Sequence, residues 1–239
     1  MALEFNPDCR IEVRQLRGGS ALVIVDDALL NPEHLVTLAS EKLPDLIPDD
    51  RWHYPGVELA LPESYTEPCA GFLRHNLREY FGLSRVIWET YARLSMITVP
   101  PEQLTWKQRM CHIDANPGVA DERVIASVLY LFPEADLGGT AFFEPRPGLP
   151  PYLYYLSDGL PTPESEQFEF FRQPPAYHTD SNEFFELDQA VTPRWNRMIF
   201  YRGDVHHSAN VTAPQRLSRD PTVGRLTLNG FYRVAATGG

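Results

Sequence analysis

Two residues of metal-binding type stand two positions apart in this sequence, at His112 and Asp114. Successive side chains of a strand point to opposite faces, so an extended backbone here would aim both side chains at one point. A third ligand has to come from a distant segment, and two adjacent histidines, His206 and His207, follow about ninety positions later. Two imidazoles and one carboxylate on one side of a metal leave its other side open, which suits Fe(II) that must bind O₂ or a co-substrate.

The two later histidines are adjacent, so on a strand their side chains would point to opposite faces. We favour His207 as the third ligand, because the small residues Ser208 and Ala209 follow it and would leave room around a metal. His206 is the alternative third ligand.

A second His-x-Asp pair, His178 and Asp180, competes with the first. Threonine, serine and asparagine surround it, and these residues favour turns. His112, in contrast, precedes a series of strand-like segments. We therefore expect the metal at His112 and not at His178.

Three segments would form the strands around the site. Residues 123–131 alternate and are rich in β-branched side chains, which is typical of a strand. An acidic turn follows, and then Gly138, Gly139 and Thr140 lead into the segment Ala141-Phe142-Phe143. Residues 224–232 are a further predicted strand, with Arg225 at its start.

In the types and order of these motifs, the sequence resembles the 2-oxoglutarate/Fe(II)-dependent oxygenases, most closely their prolyl-hydroxylase-like branch. That family has a His-x-Asp pair, a strand ending in Tyr-Leu, a Gly-Gly turn before an aromatic strand, a distal histidine and an arginine on the following strand. All five features occur here in that order. By this resemblance His112, Asp114 and His207 would bind the catalytic iron.

The resemblance also implies a site for 2-oxoglutarate. Arg225 matches the basic residue that pairs with the distal carboxylate of 2-oxoglutarate, a task that suits a planar guanidinium. Tyr130 matches a tyrosine whose hydroxyl helps to hold that carboxylate in some members, and Thr227 shares the face of Arg225. His207 and Arg225 are 18 positions apart, more than is usual in the family. Three other arginines therefore stay open as alternatives for the anchor: Arg202, Arg216 and Arg219.

The resemblance implies an Fe(II)- and 2-oxoglutarate-dependent dioxygenase that hydroxylates a peptide, an amino acid or a small metabolite. The carboxylate of Asp114 favours hydroxylation or a related desaturation, since relatives that halogenate lack it. Two other classes stay open: a cupin-like metal-binding protein or isomerase, and an inactive jelly-roll scaffold. The sequence contains no Gly-x-Ser-x-Gly, Cys-x-x-Cys or His-Glu-x-x-His motif.

The fold class that the resemblance implies is mainly β (α+β). It is a double-stranded β-helix, a cupin-like jelly roll of eight core strands in two facing sheets with flanking N-terminal helices. We expect a single oxygenase-like domain over residues 1–239. Residues 1–90 would supply an N-terminal strand and supporting helices, and residues 91–239 the jelly-roll core with a lid-like insertion at 145–190.

The N-terminal part predicts scaffold elements. Residues 20–30 predict a strand, and the Asn-Pro pair at 31–32 marks the start of a helix, with Asn at the N-cap. Residues 44–61 are rich in proline and aspartate and predict a loop. A second helix is expected over residues 64–83, opened by a Ser-x-x-Glu capping box at 64–67.

The insertion at 145–190 is rich in proline at its start and in aromatic residues throughout. Prolines at that density break helices and sheet ladders, whereas the aromatic content argues against disorder. The segment predicts either an ordered lid over the substrate, with the tyrosines of residues 152–155 near its mouth, or a contact between copies of the chain.

The chain has 239 residues and a formal net charge of −11. Without a cluster of Lys and Arg, it does not suit a nucleic acid or an anionic membrane as partner. Three scattered cysteines and the lack of an apolar leader or membrane-spanning run predict a cytoplasmic protein. The expected partner is a small-molecule or peptide substrate, and the oligomeric state stays open.

Overall fold

A computed structural model of the chain describes residues 3–48, 54–114, 122–150, 153 and 168–236. Within these residues the protein is mostly β-structure, with two antiparallel sheets and few helices. The strands are β1 (Arg10–Gln15), β2 (Ala21–Asp26), β3 (Gly56–Leu61), β4 (Leu83–Ile97), β5 (Glu122–Tyr130), β6 (Thr140–Pro145), β7 (Phe185–Val191), β8 (Arg197–Arg202), β9 (His206–Ala209) and β10 (Leu226–Ala236). The helices are α1 (Glu33–Glu41), α2 (Glu63–Phe72) and the short α3 (Glu169–Arg172).

The larger sheet has seven strands in the order β1-β2-β8-β5-β10-β4-β3, and the smaller sheet has the order β7-β6-β9. A single antiparallel bridge between His112 and His207 extends the smaller sheet beyond β9. The two sheets share one hydrophobic core, in which Tyr130 and Tyr201 of the larger sheet meet Phe142 of the smaller one. Two facing antiparallel sheets of this kind are compatible with a jelly-roll-like fold.

Helices α1 and α2 cover the outer face of the larger sheet. Leu35 of α1 and Leu73, directly after α2, pack in one core with Leu94 of β4 and Phe200 of β8. Because side chains alternate along a strand, the neighbours of these residues on β4 and β8 face the space between the two sheets. No helix within the described residues is long and apolar enough to cross a membrane.

Residues 56–61 form a strand, so the prediction of a loop over 44–61 was wrong for them. They make up β3, which pairs with β4 at an edge of the larger sheet. The prolines and aspartates that predict a loop precede this segment, whereas the segment itself, GVELAL, is mostly apolar. Composition averaged over the longer stretch therefore concealed a short edge strand.

Both predicted helices differ from the observed ones at their ends. Pro32 takes the N-cap position of α1 without a side-chain cap, so the helix begins one residue later than expected. Pro62 is the N-cap of α2, again without a side-chain hydrogen bond, so the capping box does not form. The helix predicted over 64–83 was too long, because α2 ends at Phe72 and a π-helical turn, Leu73–Leu77, follows it.

Part of the 145–190 insertion lies within the described residues. Strand β7 forms one edge of the smaller sheet. Phe168, Phe170 and Phe171 in and beside α3 pack in a core that also contains Cys111 and Phe185. The tyrosines of residues 152–155, on which the lid hypothesis rests, lie outside the described residues.

Candidate metal centre

The bridge between His112 and His207 places two imidazoles side by side. The two residues exchange both backbone hydrogen bonds, each with an N···O distance of 2.9 Å. Directly opposed residues of an antiparallel pair project from the same face of the sheet. The two ring centroids are accordingly 4.4 Å apart.

Asp114 joins them because it lies two residues beyond His112 in extended backbone. Its backbone N–H donates to the carbonyl of Gly203 at 2.7 Å, which holds the segment against the turn between β8 and β9. Its Oδ1 is 3.6 Å from Nε2 of His112, and its Oδ2 is 3.4 Å from Nε2 of His207. One ligand atom from each of the three residues lies within 4.8 Å of the other two.

The protonation states of this cluster suit a divalent metal. Burial lowers the pKa of His207 to about 4, so its ring is neutral at neutral pH. Its Nδ1 lies 3.0 Å from the carbonyl oxygen of Val205 and therefore carries the proton, which leaves the Nε2 lone pair for a metal. Burial opposes the charged form of Asp114, but His207 and His112 lower the pKa of Asp114 below its usual value. The carboxylate is therefore ionised.

The environment of the Oδ2 atom of Asp114 indicates a cation-binding site. It is buried and has no hydrogen-bond donor among the described residues. A buried carboxylate oxygen without a donor is costly unless a positive charge balances it. Two ligand atoms bound in perpendicular directions at about 2.1 Å from a metal lie about 3 Å apart, close to the separations seen here. The cluster therefore fits a single divalent ion of the two-histidine, one-carboxylate type.

The other candidate histidines are engaged elsewhere. The ring of His206 packs on Phe185, with centroids 5.0 Å apart, on the face of β9 opposite to His207. Nδ1 of His178 accepts the backbone N–H of Cys111 at 3.0 Å. Burial lowers the pKa of His178 to about 4, so it is a neutral residue of the core. Neither residue belongs to the ligand cluster that the described residues form.

The metal-ligand cluster opens into a cavity of about 360 Å³, at the small end of the range for ligand sites. Arg225 lines the same cavity. Its guanidinium is buried, and it donates from Nε to the carbonyl of Gly138 at 3.0 Å and from Nη2 to the carbonyl of Gly139 at 2.6 Å. Burial lowers the pKa of Arg225, and among the described residues only tyrosines oppose that effect. A buried cation without a carboxylate partner is a favourable site for an anion.

The Gly-Gly turn allows the backbone to approach its neighbours and Arg225. Gly138 has a φ of +78°, and a Cβ there would lie 1.5 Å from the carbonyl oxygen of Asn210. A Cβ on Gly139 would lie 1.9 Å from the carbonyl oxygen of Val191. Only glycine fits at either position, which is the physical reason for the motif.

Thr227 and Tyr130, the other two residues proposed to bind 2-oxoglutarate, lie in different parts of the structure. Thr227 lines the cavity, and its hydroxyl donates to the carbonyl of Ser95 at 3.3 Å. Tyr130 lies in the core between the sheets, where its hydroxyl donates to that of Thr140 at 2.9 Å. Tyr130 is not among the described residues that line the cavity. The three alternative arginines are also absent from that lining: Arg202, Arg216 and Arg219.

Sequence reasoning missed two tyrosines beside Arg225. Tyr54 and Tyr177 both line the cavity that contains Arg225. The hydroxyl of Tyr177 donates to the carbonyl of Val99 at 2.5 Å. The two tyrosines lie more than a hundred positions apart in segments without regular spacing, and no pattern in the sequence links them to Arg225.

The facing sheets and the two-histidine, one-carboxylate cluster define a β-rich protein with a candidate mononuclear metal centre. The chain belongs to the family described as "Family of unknown function (DUF6445)", whose sequence profile matches residues 7–232. No curated protein matches the sequence. Among solved structures, the chain is similar to the epimerase SnoN in complex with Fe3+, alpha ketoglutarate and nogalamycin RO, with 15% identity and a TM-score of 0.41. The alignment covers 90% of this chain and 79% of that chain.

Proposed function

We propose that the protein is an Fe(II)- and 2-oxoglutarate-dependent dioxygenase that hydroxylates its substrate. One observation carries this proposal: a single cavity contains both the ligand cluster and the buried Arg225. The two-histidine, one-carboxylate set leaves part of the metal surface free for a chelating co-substrate and O₂. Arg225 supplies a positive charge for the distal carboxylate of 2-oxoglutarate.

The order of the strands supports a double-stranded β-helix as the fold of this enzyme. From β4 onward the chain passes from the larger sheet to the His112 bridge of the smaller sheet, returns to β5 and then enters β6 and β7. It goes back to β8, crosses to β9 and ends in β10. Four strands of the larger sheet thus face four segments of the smaller one, as in a jelly roll. The prolyl-hydroxylase-like branch stays a prediction.

The chain's own residues have separate tasks in this proposal. His112, Asp114 and His207 hold the iron, and the neutral Nε2 of His207 together with the ionised Asp114 provides two of its donors. Bound iron supplies the oxidative chemistry, in which O₂, 2-oxoglutarate and a C–H bond become succinate, CO₂ and a C–OH group. Arg225 binds and orients the co-substrate. Tyr201, whose ring lies 4.7 Å from that of His207, shields this ligand from water.

Succinate formation tests the proposal. The purified protein is loaded with Fe(II) without oxygen, supplied with 2-oxoglutarate, exposed to air and assayed for succinate and for O₂ consumption. We expect slow succinate formation without substrate, and none from Asp114→Asn, which keeps the shape of the side chain but loses its charge. Binding of Fe(II) without binding of 2-oxoglutarate and without succinate would instead favour a metal-binding protein or isomerase.

A further inference from the structure

Strand β1 leaves one edge of the larger sheet open. It is the first strand in the order of that sheet, and no other strand among the described residues pairs with its outer side. Five of its six residues are exposed, whereas every residue of the neighbouring β2 is partly or fully buried. An unpaired strand presents a row of backbone N–H and C=O groups that a strand of another chain can bind.

The hairpin between β1 and β2 shows which backbone groups of β1 point to the open edge. The N–H of Leu16 donates to the carbonyl of Ser20 at 3.0 Å, and the carbonyl of Leu16 accepts the N–H of Gly19 at 2.8 Å. Both backbone groups of Leu16 therefore point to β2. Backbone direction alternates along a strand, so the even-numbered residues of β1 bond to β2 and the odd-numbered residues point outward. Accordingly, the carbonyl of Gln15 accepts a hydrogen bond from the side chain of Gln189 at 2.8 Å.

The two faces of β1 differ in character. Ile11 and Val13 are 40% and 45% exposed, although their partners on β2 pack in the core under the helices. On the opposite face, Nε of Arg14 lies 2.7 Å from Oε1 of Glu12, and the two side chains are 37% and 56% exposed. An exposed ion pair of this kind contributes little to the stability of the fold. The strand thus carries two exposed apolar side chains and two opposite charges beside its open edge.

The charges of β1 favour one register for antiparallel pairing with a second copy of the strand. Two registers bring outward backbone groups together and pair five of the six residues, one centred on Val13 and one on Glu12. In the register centred on Val13, Glu12 of each copy lies opposite Arg14 of the other. In the register centred on Glu12, the two glutamates oppose each other, and Arg10 opposes Arg14. Opposed charges of unlike sign stabilise a strand pair and like charges destabilise it, so only the first register is complementary.

We propose that the open edge of β1 binds β1 of a second copy of this chain, in the antiparallel register centred on Val13, and that the two copies form a symmetric dimer. Val13 exchanges two backbone hydrogen bonds with its counterpart, and Ile11 of each copy lies diagonally beside it. Two six-residue strands bury much less than the roughly 1,600 Å² of a standard interface, so the dimer forms reversibly. The inference is independent of the proposed function, because no residue of β1 is among the described residues that line the cavity.

Sedimentation velocity of the full chain tests for the dimer over a hundredfold range of protein concentration, up to about 0.5 mM. We expect the average mass to rise from that of one chain toward that of two. Hydrogen exchange at the amides of Ile11 and Val13 gives a second measurement on the wild type. Their protection should increase with protein concentration. Full protection in the monomer would mean that another segment of the same chain covers the edge, and this result would overturn the proposal.

Charge reversal tests the register. Glu12→Arg brings two arginines opposite each other, and Arg14→Glu brings two glutamates opposite each other. Each opposed pair occurs twice by symmetry, so either variant alone should weaken dimerisation about tenfold or more. An equimolar mixture of the two variants restores both pairs of unlike charge, because positions 12 and 14 are then both arginine in one strand and both glutamate in the other. The mixture should therefore dimerise about as well as the wild type.

The matched controls are Glu79→Arg and Arg219→Glu, which make the same changes in net charge at exposed residues outside β1. Both controls should dimerise as the wild type does. The proposal is overturned if the wild type stays monomeric at every concentration, if either variant of β1 dimerises like the wild type, or if the mixture of the two stays monomeric. A dimer that Arg14→Glu strengthens would have its centre at Glu12, which also refutes the proposed register.

Discussion

Replacement of Arg225 by methionine should weaken the binding of 2-oxoglutarate but leave the stability of the ligand-free protein nearly unchanged. The substitution removes two hydrogen bonds from a charged donor to the carbonyls of Gly138 and Gly139, each worth about 1.5–3 kcal/mol. It also removes a buried cation, whose transfer from water costs several kcal/mol. These two effects oppose each other, so the ligand-free Arg225→Met variant should melt within about 5 °C of the wild type.

The effect of 2-oxoglutarate on the melting temperature should differ much more. At a concentration of 100 times its Kd, a ligand stabilises the folded protein by about 2.7 kcal/mol, which corresponds to roughly 5–10 °C for a domain of this size. Loss of a buried charged partner weakens binding by about 2–5 kcal/mol, or roughly 30- to 4,000-fold. At the same concentration, Arg225→Met should therefore gain less than about 3 °C.

Thermal melting of Mn(II)-loaded protein with increasing 2-oxoglutarate measures this difference. Arg219→Met is the matched control, because it makes the same chemical change at an exposed arginine outside the described cavity lining. The control should keep the full shift. If Arg225→Met responded to 2-oxoglutarate as the wild type does, or if the control lost its response, the assignment of the anchor would be wrong.

Three further outcomes follow from the geometry. His207→Ala should abolish tight Fe(II) or Mn(II) binding in calorimetry. His206→Ala should leave metal binding intact and lower only the melting temperature, because the ring of His206 packs in the core. Equal metal affinity of the two variants would contradict this. Gly139→Ala should lower the melting temperature by at least about 6 °C, because the new Cβ would meet a backbone oxygen at 1.9 Å. Gly71→Ala in α2 should be tolerated, because a Cβ at that position would have no neighbouring atom within 4 Å. Burial lowers the pKa of His178 from 6.5 to about 4. Between pH 6.5 and pH 4 the unfolded state therefore binds more protons than the folded state. The free energy of unfolding consequently falls as the pH falls from 6.5 toward 4. His178→Asn, which keeps an acceptor near Nδ1, should reduce the loss between pH 7 and pH 5 by about 2 kcal/mol in urea denaturation, and an unchanged slope would contradict this origin.

The metal-ligand cluster could be proposed from the sequence because most of it depends on local geometry. The distance between His112 and Asp114 needs only extended backbone, and the two-residue period of a strand excludes the joint use of His206 and His207. The choice between these two depends on the register of β9 against the His112 segment, which a sequence does not state. The small residues after His207 indicated the member of the pair that the structure brings to Asp114.

Other features depend on contacts between distant segments. Tyr54 and Tyr177 lie outside the helices and strands, far apart in the sequence, and line the cavity with Arg225, so no periodicity relates them. Tyr130 occupies the expected place on β5, but its hydroxyl is directed to Thr140 in the core. The edge strand β3 depends on pairing with β4, because its own six residues are too short to show a clear alternation. Tertiary pairing therefore decides what local composition leaves undetermined.

The three metal ligands are unequally exposed, since 47% of the His112 side chain is accessible but only 11% of Asp114 and 7% of His207. An ion that arrives from solvent meets His112 first and the two deeper ligands afterwards. The exchange rate of the metal would then depend mainly on His112, and its equilibrium retention mainly on the buried pair. Substitution of His112 should change the rate at which a chelator removes the metal far more than substitution of a neighbouring residue that does not contact the ion.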